Sequence, residues 1–92
     1  MSEFLDAQLM HKENPDTFWA PSQEELDTLH PGHYVKICEN NERFWIELDE
    51  VDGDKLMGRV DNDLVFEHSF KYNDKISFEK KNVMGMTTPD RV

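Results

Sequence analysis

The sequence has one cysteine, Cys38, and no hydrophobic run approaching the roughly 20 residues that a membrane-spanning helix needs. One cysteine cannot form a disulfide within the chain, which favours a reducing compartment. The first six residues include two acids and no base, so they lack the positive and apolar regions of a secretory signal. Together these absences predict a cytoplasmic protein without a membrane segment.

Basic residues are also few, because 10 lysines and arginines stand against 20 aspartates and glutamates and the formal net charge is −10. Residues 1–50 hold 12 of the acids and only 3 of the bases. Nucleic-acid binding depends on basic side chains that displace counterions, so direct binding to nucleic acid is not expected. The acid-rich half instead favours docking on a protein with a basic surface, and the alternative is that the acids serve only solubility.

Two short helices are predicted near the N-terminus. Residues 2–12 contain apolar side chains at i,i+4 spacing, with Ser2 as the N-cap and Pro15 beyond the end. A second helix starts at a capping box formed by Ser22 and Glu25 and runs to about Leu29. The sequence then changes to the shorter apolar period of strands.

Short alternating apolar runs separated by turn residues fill positions 29–83. Asn40-Asn41 predicts a hairpin between strands 33–39 and 42–51, and Asp52-Gly53-Asp54 predicts the next one. Gly58 marks a bulge, a bend or a close backbone approach. Residues 80–83 are a candidate closing strand. The predicted fold is α+β: a small, strongly curved antiparallel β-sheet or SH3-like barrel of about five strands, with one or two short N-terminal helices.

Five runs of the chain together resemble the YegJ-like family of small bacterial proteins of unknown function. They are NPDTFWAPS (14–22), LHPGHYVKI (29–37), FWIE (44–47), GRVDN (58–62) and DKISF (74–78). The resemblance implies an SH3-like or related barrel in a bacterial or phage protein and conveys almost no chemistry. It divides the single domain 1–92 into an N-terminal helical segment 1–13, a family-like core 14–83 and a flexible tail 84–92.

The candidate binding residues are aromatic and acidic side chains that are typical of interaction surfaces. Alternation places Phe44, Ile46 and Leu48 on the inner face of the second strand. Its other face then carries the candidates Trp45, Glu47 and Asp49. Two further aromatic residues, Trp19 and Tyr34, complete the set.

No metal, cofactor or catalytic site is predicted. His30 and His33 with Cys38 do not supply four zinc ligands, and His33 and Cys38 lie on opposite faces of one strand. The loop that starts at Asp61 lacks the glycine and the distal glutamate of a calcium loop.

The sequence therefore predicts a non-enzymatic protein-interaction module, of an immunity, inhibitor or accessory type, that is a monomer or a weak homodimer. Two alternatives remain: a small-ligand-binding regulatory domain, and a hydrolytic enzyme that uses Glu47 and Asp49 as its two carboxylates.

Overall fold

A computed structural model describes residues 4–87, which form two short α-helices, five β-strands and one turn of 3-10 helix. The helices are α1 (Ala7–Glu13) and α2 (Gln23–Leu26). The strands are β1 (Tyr34–Glu39), β2 (Glu42–Asp52), β3 (Lys55–Val60), β4 (Lys75–Glu79) and β5 (Gly85–Thr87). The 3-10 helix, Lys80–Asn82, follows β4 directly. No helix within 4–87 has the length and apolar character needed to cross a bilayer.

The strands form one antiparallel sheet in the order β4-β3-β2-β1-β5. Strands β1 to β4 follow one another as a meander, and β5 returns to the free edge of β1. Within residues 4–87 the sheet is not closed and has β4 and β5 as its edges, and the predicted small α+β fold with about five antiparallel strands is confirmed.

The two predicted hairpins are confirmed, and turn chemistry explains them. Asn40 and Asn41 have φ angles of 51° and 63°, and Gly53 has a φ of 59°. These left-handed conformations match the right-handed twist of the flanking strands, and asparagine and glycine adopt them at low cost. The turns therefore set the register of β1 on β2 and of β2 on β3.

The core lies on one face of the sheet. Burial alternates along β1 and β2, and Phe44, Ile46 and Leu48 are each at most 1% exposed, as the alternation predicted. Leu26 and Leu29 cover this inner face, and the loop 61–74 adds Leu64 and Phe70. The other members of the core are Val35, Ile37, Leu56, Val60, Phe78 and Val83.

The capping box of α2 is confirmed. The Glu25 amide donates to Ser22 Oγ (3.2 Å), and the Ser22 amide donates to Glu25 Oε1 (3.0 Å). The helix is shorter than predicted, because it ends at Leu26 and turns carry the chain on to Leu29.

The start of α1 differs from the prediction. Ser2 lies outside the described residues, and Asp6 is the N-cap, accepting from the Leu9 amide at 3.0 Å. Residues 4–6 lie outside the helix, and the Leu5 amide donates to the carbonyl of Cys38 (2.9 Å) near the end of β1.

Two assignments near the C-terminus are corrected. Residues 80–82 form a 3-10 helix rather than a strand, because Asn82 Oδ1 accepts from the Glu79 amide (2.9 Å) and turns the chain. Residues 85–87, predicted as part of a flexible tail, form β5. Antiparallel pairing with the open edge of β1 supplies backbone partners that an isolated tail lacks. Residues 88–92 of the predicted tail lie outside the described residues.

Candidate functional site

Four of the five predicted binding residues lie on the face of the sheet opposite the core. We call this the outer face and define it by Tyr34, Lys36, Trp45, Glu47, Asp49 and Arg59. The cross-strand register explains the grouping, since Tyr34 is opposite Glu47 and Glu47 is opposite Arg59. Residues directly opposite each other on neighbouring strands point to the same side of a sheet.

Arg59 joins the two predicted carboxylates. Its Nη2 lies 3.3 Å from Glu47 Oε2, and its Nε lies 3.2 Å from Asp49 Oδ2. The hydrogen bond to Asp49 and the charges of Asp49 and Glu47 raise the pKa of Arg59 above its ordinary value. The register shifts between Leu48 and Glu50, so Asp49 is the extra residue of a β-bulge beside this contact.

Trp45 is held on the outer face by contacts of both its side chain and its main chain. The ammonium of its cross-strand neighbour Lys36 lies 5.3 Å from the centroid of the indole ring, within cation-π range. The main chain of Trp45 is held by the next loop, where Asn62 Oδ1 accepts from its amide at 2.5 Å. Asn62 thus ties the loop 61–74 to β2.

Trp19 is not part of the outer face. It is 57% exposed in the segment after α1, and this segment is bound to the helix. The Nδ1–H of His11 donates to the Phe18 carbonyl (2.6 Å), and Gln8 Nε2 donates to the Pro21 carbonyl (2.7 Å). Trp19 is therefore a separate exposed aromatic residue, and its role as a binding residue stays a prediction.

The acidic character of the outer face is concentrated toward the β2–β3 turn. On the sheet itself, Glu47 and Asp49 are balanced by Arg59 and Lys36. Beyond the bulge follow three further exposed carboxylates, Glu50, Asp52 and Asp54, and a single lysine, Lys55. We call the four acids Asp49, Glu50, Asp52 and Asp54 the acidic hairpin. These acids give the outer face a cluster of exposed carboxylates beside the β2–β3 turn.

A buried ionic cluster, which the sequence analysis missed, lies at the other end of the sheet. The side chain of His68 is fully buried, with Nδ1 2.7 Å from Glu39 Oε1 and Nε2 2.8 Å from Glu42 Oε1. Both ring nitrogens therefore donate, which is possible only in the protonated imidazolium. The ring stacks on Phe70 and meets Phe44 edge to face.

The cluster shifts two pKa values. Burial opposes the charge on His68, but hydrogen bonds and charges from Glu39 and Glu42 outweigh it, so the pKa of His68 is raised. Hydrogen bonds from the Val65 amide and from His68 lower the pKa of Glu42.

The cluster also holds the loop 61–74. The amides of Val65 and Phe66 both donate to Glu42, at 2.9 and 2.8 Å. The signal for this cluster in the sequence is Glu39, a carboxylate in the inward-facing series that begins at Val35. A buried acid requires a partner, but nothing in the sequence pattern names His68 as that partner.

Cys38 lines a groove of about 700 Å³ together with Phe18 and with Val65 and Phe66 of the loop 61–74. Burial raises the pKa of its thiol, against a smaller opposing effect from Arg43. No group of three or more His, Cys, Asp or Glu residues suited to a metal ion occurs within 4–87.

We expect the raised pKa of Cys38 to make its thiol slow to react. At pH 8 the native protein should react with an aromatic disulfide several-fold more slowly than the protein in denaturant, because the thiolate is the nucleophile. The rate is measured spectrophotometrically from pH 7 to pH 10, where it should continue to rise above the pH at which a free cysteine levels off. Equal native and denatured rates would contradict this expectation.

Comparison with known proteins adds no identification. No protein-family model, no curated protein and no solved structure matches the chain. Membership of the YegJ-like family stays a prediction.

Proposed function

We propose that this chain is a non-enzymatic protein-interaction module that docks a basic protein surface on its outer face. The observation that carries the proposal is the grouping of Tyr34 and Trp45 beside Glu47 and the acidic hairpin on one face of the sheet. Aromatic side chains supply contact area at an interface, and carboxylates supply orientation and faster association with a basic partner. An immunity or inhibitor protein that covers a basic groove of its target is one concrete form of this function.

A hydrolytic role for Glu47 and Asp49 fits this geometry less well. Two catalytic carboxylates need the space between them for the scissile bond or for an attacking water. Here the guanidinium of Arg59 contacts both carboxylates and occupies that space.

The proposal predicts that binding depends on the position of the acids and not only on their number. We expect the double variant Glu47→Lys, Asp49→Lys to bind the natural partner at least tenfold more weakly, because attraction becomes repulsion at the contact. The partner is recovered from the source cells on the immobilised chain, and its affinity is then measured by calorimetry.

The matched control is the double variant Glu13→Lys, Asp16→Lys, which makes the same change in net charge at exposed positions outside the sheet. This variant should retain most of the affinity. Wild-type affinity should also fall as salt is raised, since exposed charges are screened. An affinity that does not change with salt concentration, or an equal loss of affinity in both double variants, would argue against the outer face as the docking surface.

A further inference from the structure

Strand β4 is an edge of the sheet, and the phase of its pairing with β3 is known. The Lys80 amide donates to the Asp54 carbonyl (2.8 Å), and the Val60 amide donates to the Asp74 carbonyl (3.0 Å). Hydrogen-bonded positions alternate along an antiparallel ladder, so Ile76 and Phe78 bond to β3. The backbone groups of Lys75, Ser77 and Glu79 then point away from the sheet.

Within residues 4–87, no strand pairs with β4 on the side away from β3. Two cavities adjoin the strand: one of about 620 Å³ that Ser77 and Glu79 line together with residues of β2 and β3, and one of about 480 Å³ that Lys75 and Ser77 line. The side chains of Lys75, Ser77 and Glu79 are exposed. The strand is therefore an edge on which a further strand can pair.

The sequence of β4, Lys-Ile-Ser-Phe-Glu, is self-complementary in the antiparallel direction. When two copies pair with Ser77 opposite Ser77, each Lys75 is opposite the Glu79 of the other copy. The inward-facing Ile76 is then opposite Phe78. Opposite charges and apolar pairs at directly opposed positions both stabilise a sheet.

We infer that two copies of this chain associate through their β4 edges into a continuous ten-stranded antiparallel sheet. The charge pattern selects this orientation, because parallel pairing in register would place lysine beside lysine and glutamate beside glutamate. Edge strands commonly carry charges that prevent pairing, but here the charges at the two ends have opposite signs and attract.

The main chain supports four hydrogen bonds across the two-fold axis. The two Ser77 residues exchange a pair, and each Lys75 amide donates to the Glu79 carbonyl of the other copy. The Glu79 amide does not contribute, because it already donates to Asn82 (2.9 Å).

A contact of five residues on each side is small, so we expect a reversible dimer with a dissociation constant on the order of 100 µM. The inference does not rest on the proposed function, since the β4 edge lies outside the outer-face set.

Sedimentation velocity tests the association directly. The wild-type protein at physiological salt should change from monomer to dimer between about 10 and 500 µM, the range that brackets the expected dissociation constant. A protein that stays monomeric throughout would overturn the inference and would leave the edge available to a strand of a different protein.

Two charge variants test the register. Lys75→Glu alone and Glu79→Lys alone each place like charges opposite one another in both cross-strand pairs, so we expect each to dimerise about tenfold more weakly. Mixed together, the two variants should form a heterodimer of wild-type strength, because every pair is again of opposite sign. Unchanged homodimers, or a mixture with no recovery, would show that any association uses another surface.

Ser77→Pro tests the main-chain contact. The amide of Ser77 points away from β3, so a proline at this position removes no hydrogen bond between β4 and β3. Proline is tolerated at such edge positions. We expect a folded monomer by circular dichroism and no dimer at any concentration in this range. A folded Ser77→Pro variant that still dimerises would rule out β4 pairing.

Discussion

We expect Gly58→Ala to lower the free energy of unfolding by about 3 kcal/mol, because the added methyl group overlaps the neighbouring strand. A Cβ atom at position 58 would clash with the backbone carbonyl oxygen of Glu47 and would lie 2.6 Å from Ile46 Cγ2. A backbone atom in a paired strand cannot rotate away as a side chain does. The pairing of β2 with β3 must therefore shift, at a point where Leu48 is opposite Gly58 and the bulge follows.

This loss is a large fraction of the roughly 5–10 kcal/mol that stabilises a domain of this length. Urea unfolding followed by tryptophan fluorescence measures it. The matched control is Gly85→Ala in β5, where the nearest atoms to an added Cβ belong to the flexible side chain of Lys36, the closest at 3.3 Å. We expect this control to change stability by less than about 1 kcal/mol. Equal effects at the two glycines would contradict a specific role for the close approach at Gly58.

We expect His68→Gln to lower the free energy of unfolding by about 3 kcal/mol at pH 6, since removing one partner of a buried ion pair leaves the other charge uncompensated. The residue most affected is Glu39. Its Oε2 atom is already buried without a hydrogen-bond partner among residues 4–87, and its Oε1 depends on His68. The loop 61–74 should also loosen, because His68 contacts both strands that anchor it.

The raised pKa of His68 gives this stabilisation a defined pH dependence. The contribution is fully present below the unfolded-state pKa of roughly 6.5, and it is lost as the pH rises through the higher folded-state value. Glu42, whose pKa is lowered, contributes to stability above its ordinary pKa of 4.5. This contribution is lost as the pH falls from there through the lower folded-state value. Wild-type stability should therefore be greatest between these limits and decline both above and below them.

Urea titrations from pH 4 to pH 9 test this dependence, and NMR of the histidine rings measures the pKa of His68 itself. In the His68→Gln variant the decline on the alkaline side should be reduced. His30→Gln makes the same chemical change at an exposed turn and should behave as the wild type. A His68 pKa at or below the ordinary value would show that the two carboxylates do not hold the ring in its charged form.

Much of the fold follows from local patterns in the sequence. The inner face of β2, the hairpin at Asn40 and the capping box at Ser22 all depend on residues within a few positions of one another, and all three are confirmed. The expected bulge or close approach at Gly58 is also found, as a close approach to β2. Assignments near the chain ends were poorer, because α1 begins later than predicted and residues 85–87 form a strand.

The candidate site was predicted in part. Strand alternation correctly put Trp45, Glu47 and Asp49 on the face away from the core, and cross-strand pairing brought Tyr34 beside them. The contact of Arg59 with both carboxylates joins β3 to β2, and residues on two strands are brought together only by the register of the sheet. Trp19 was grouped with these residues on side-chain type alone, and side-chain type carries no information about position.

The sequence by itself determined the strands, their turns and the inward and outward sides of each strand, because periodicity and turn chemistry act over short stretches of chain. Only the tertiary structure decided that β5 returns to β1, that His68 bridges Glu39 and Glu42, and that β4 is an edge of the sheet within residues 4–87. These features join residues that are far apart in sequence, such as Glu39 and His68. Their proximity depends on the path of the whole chain, which no local pattern specifies.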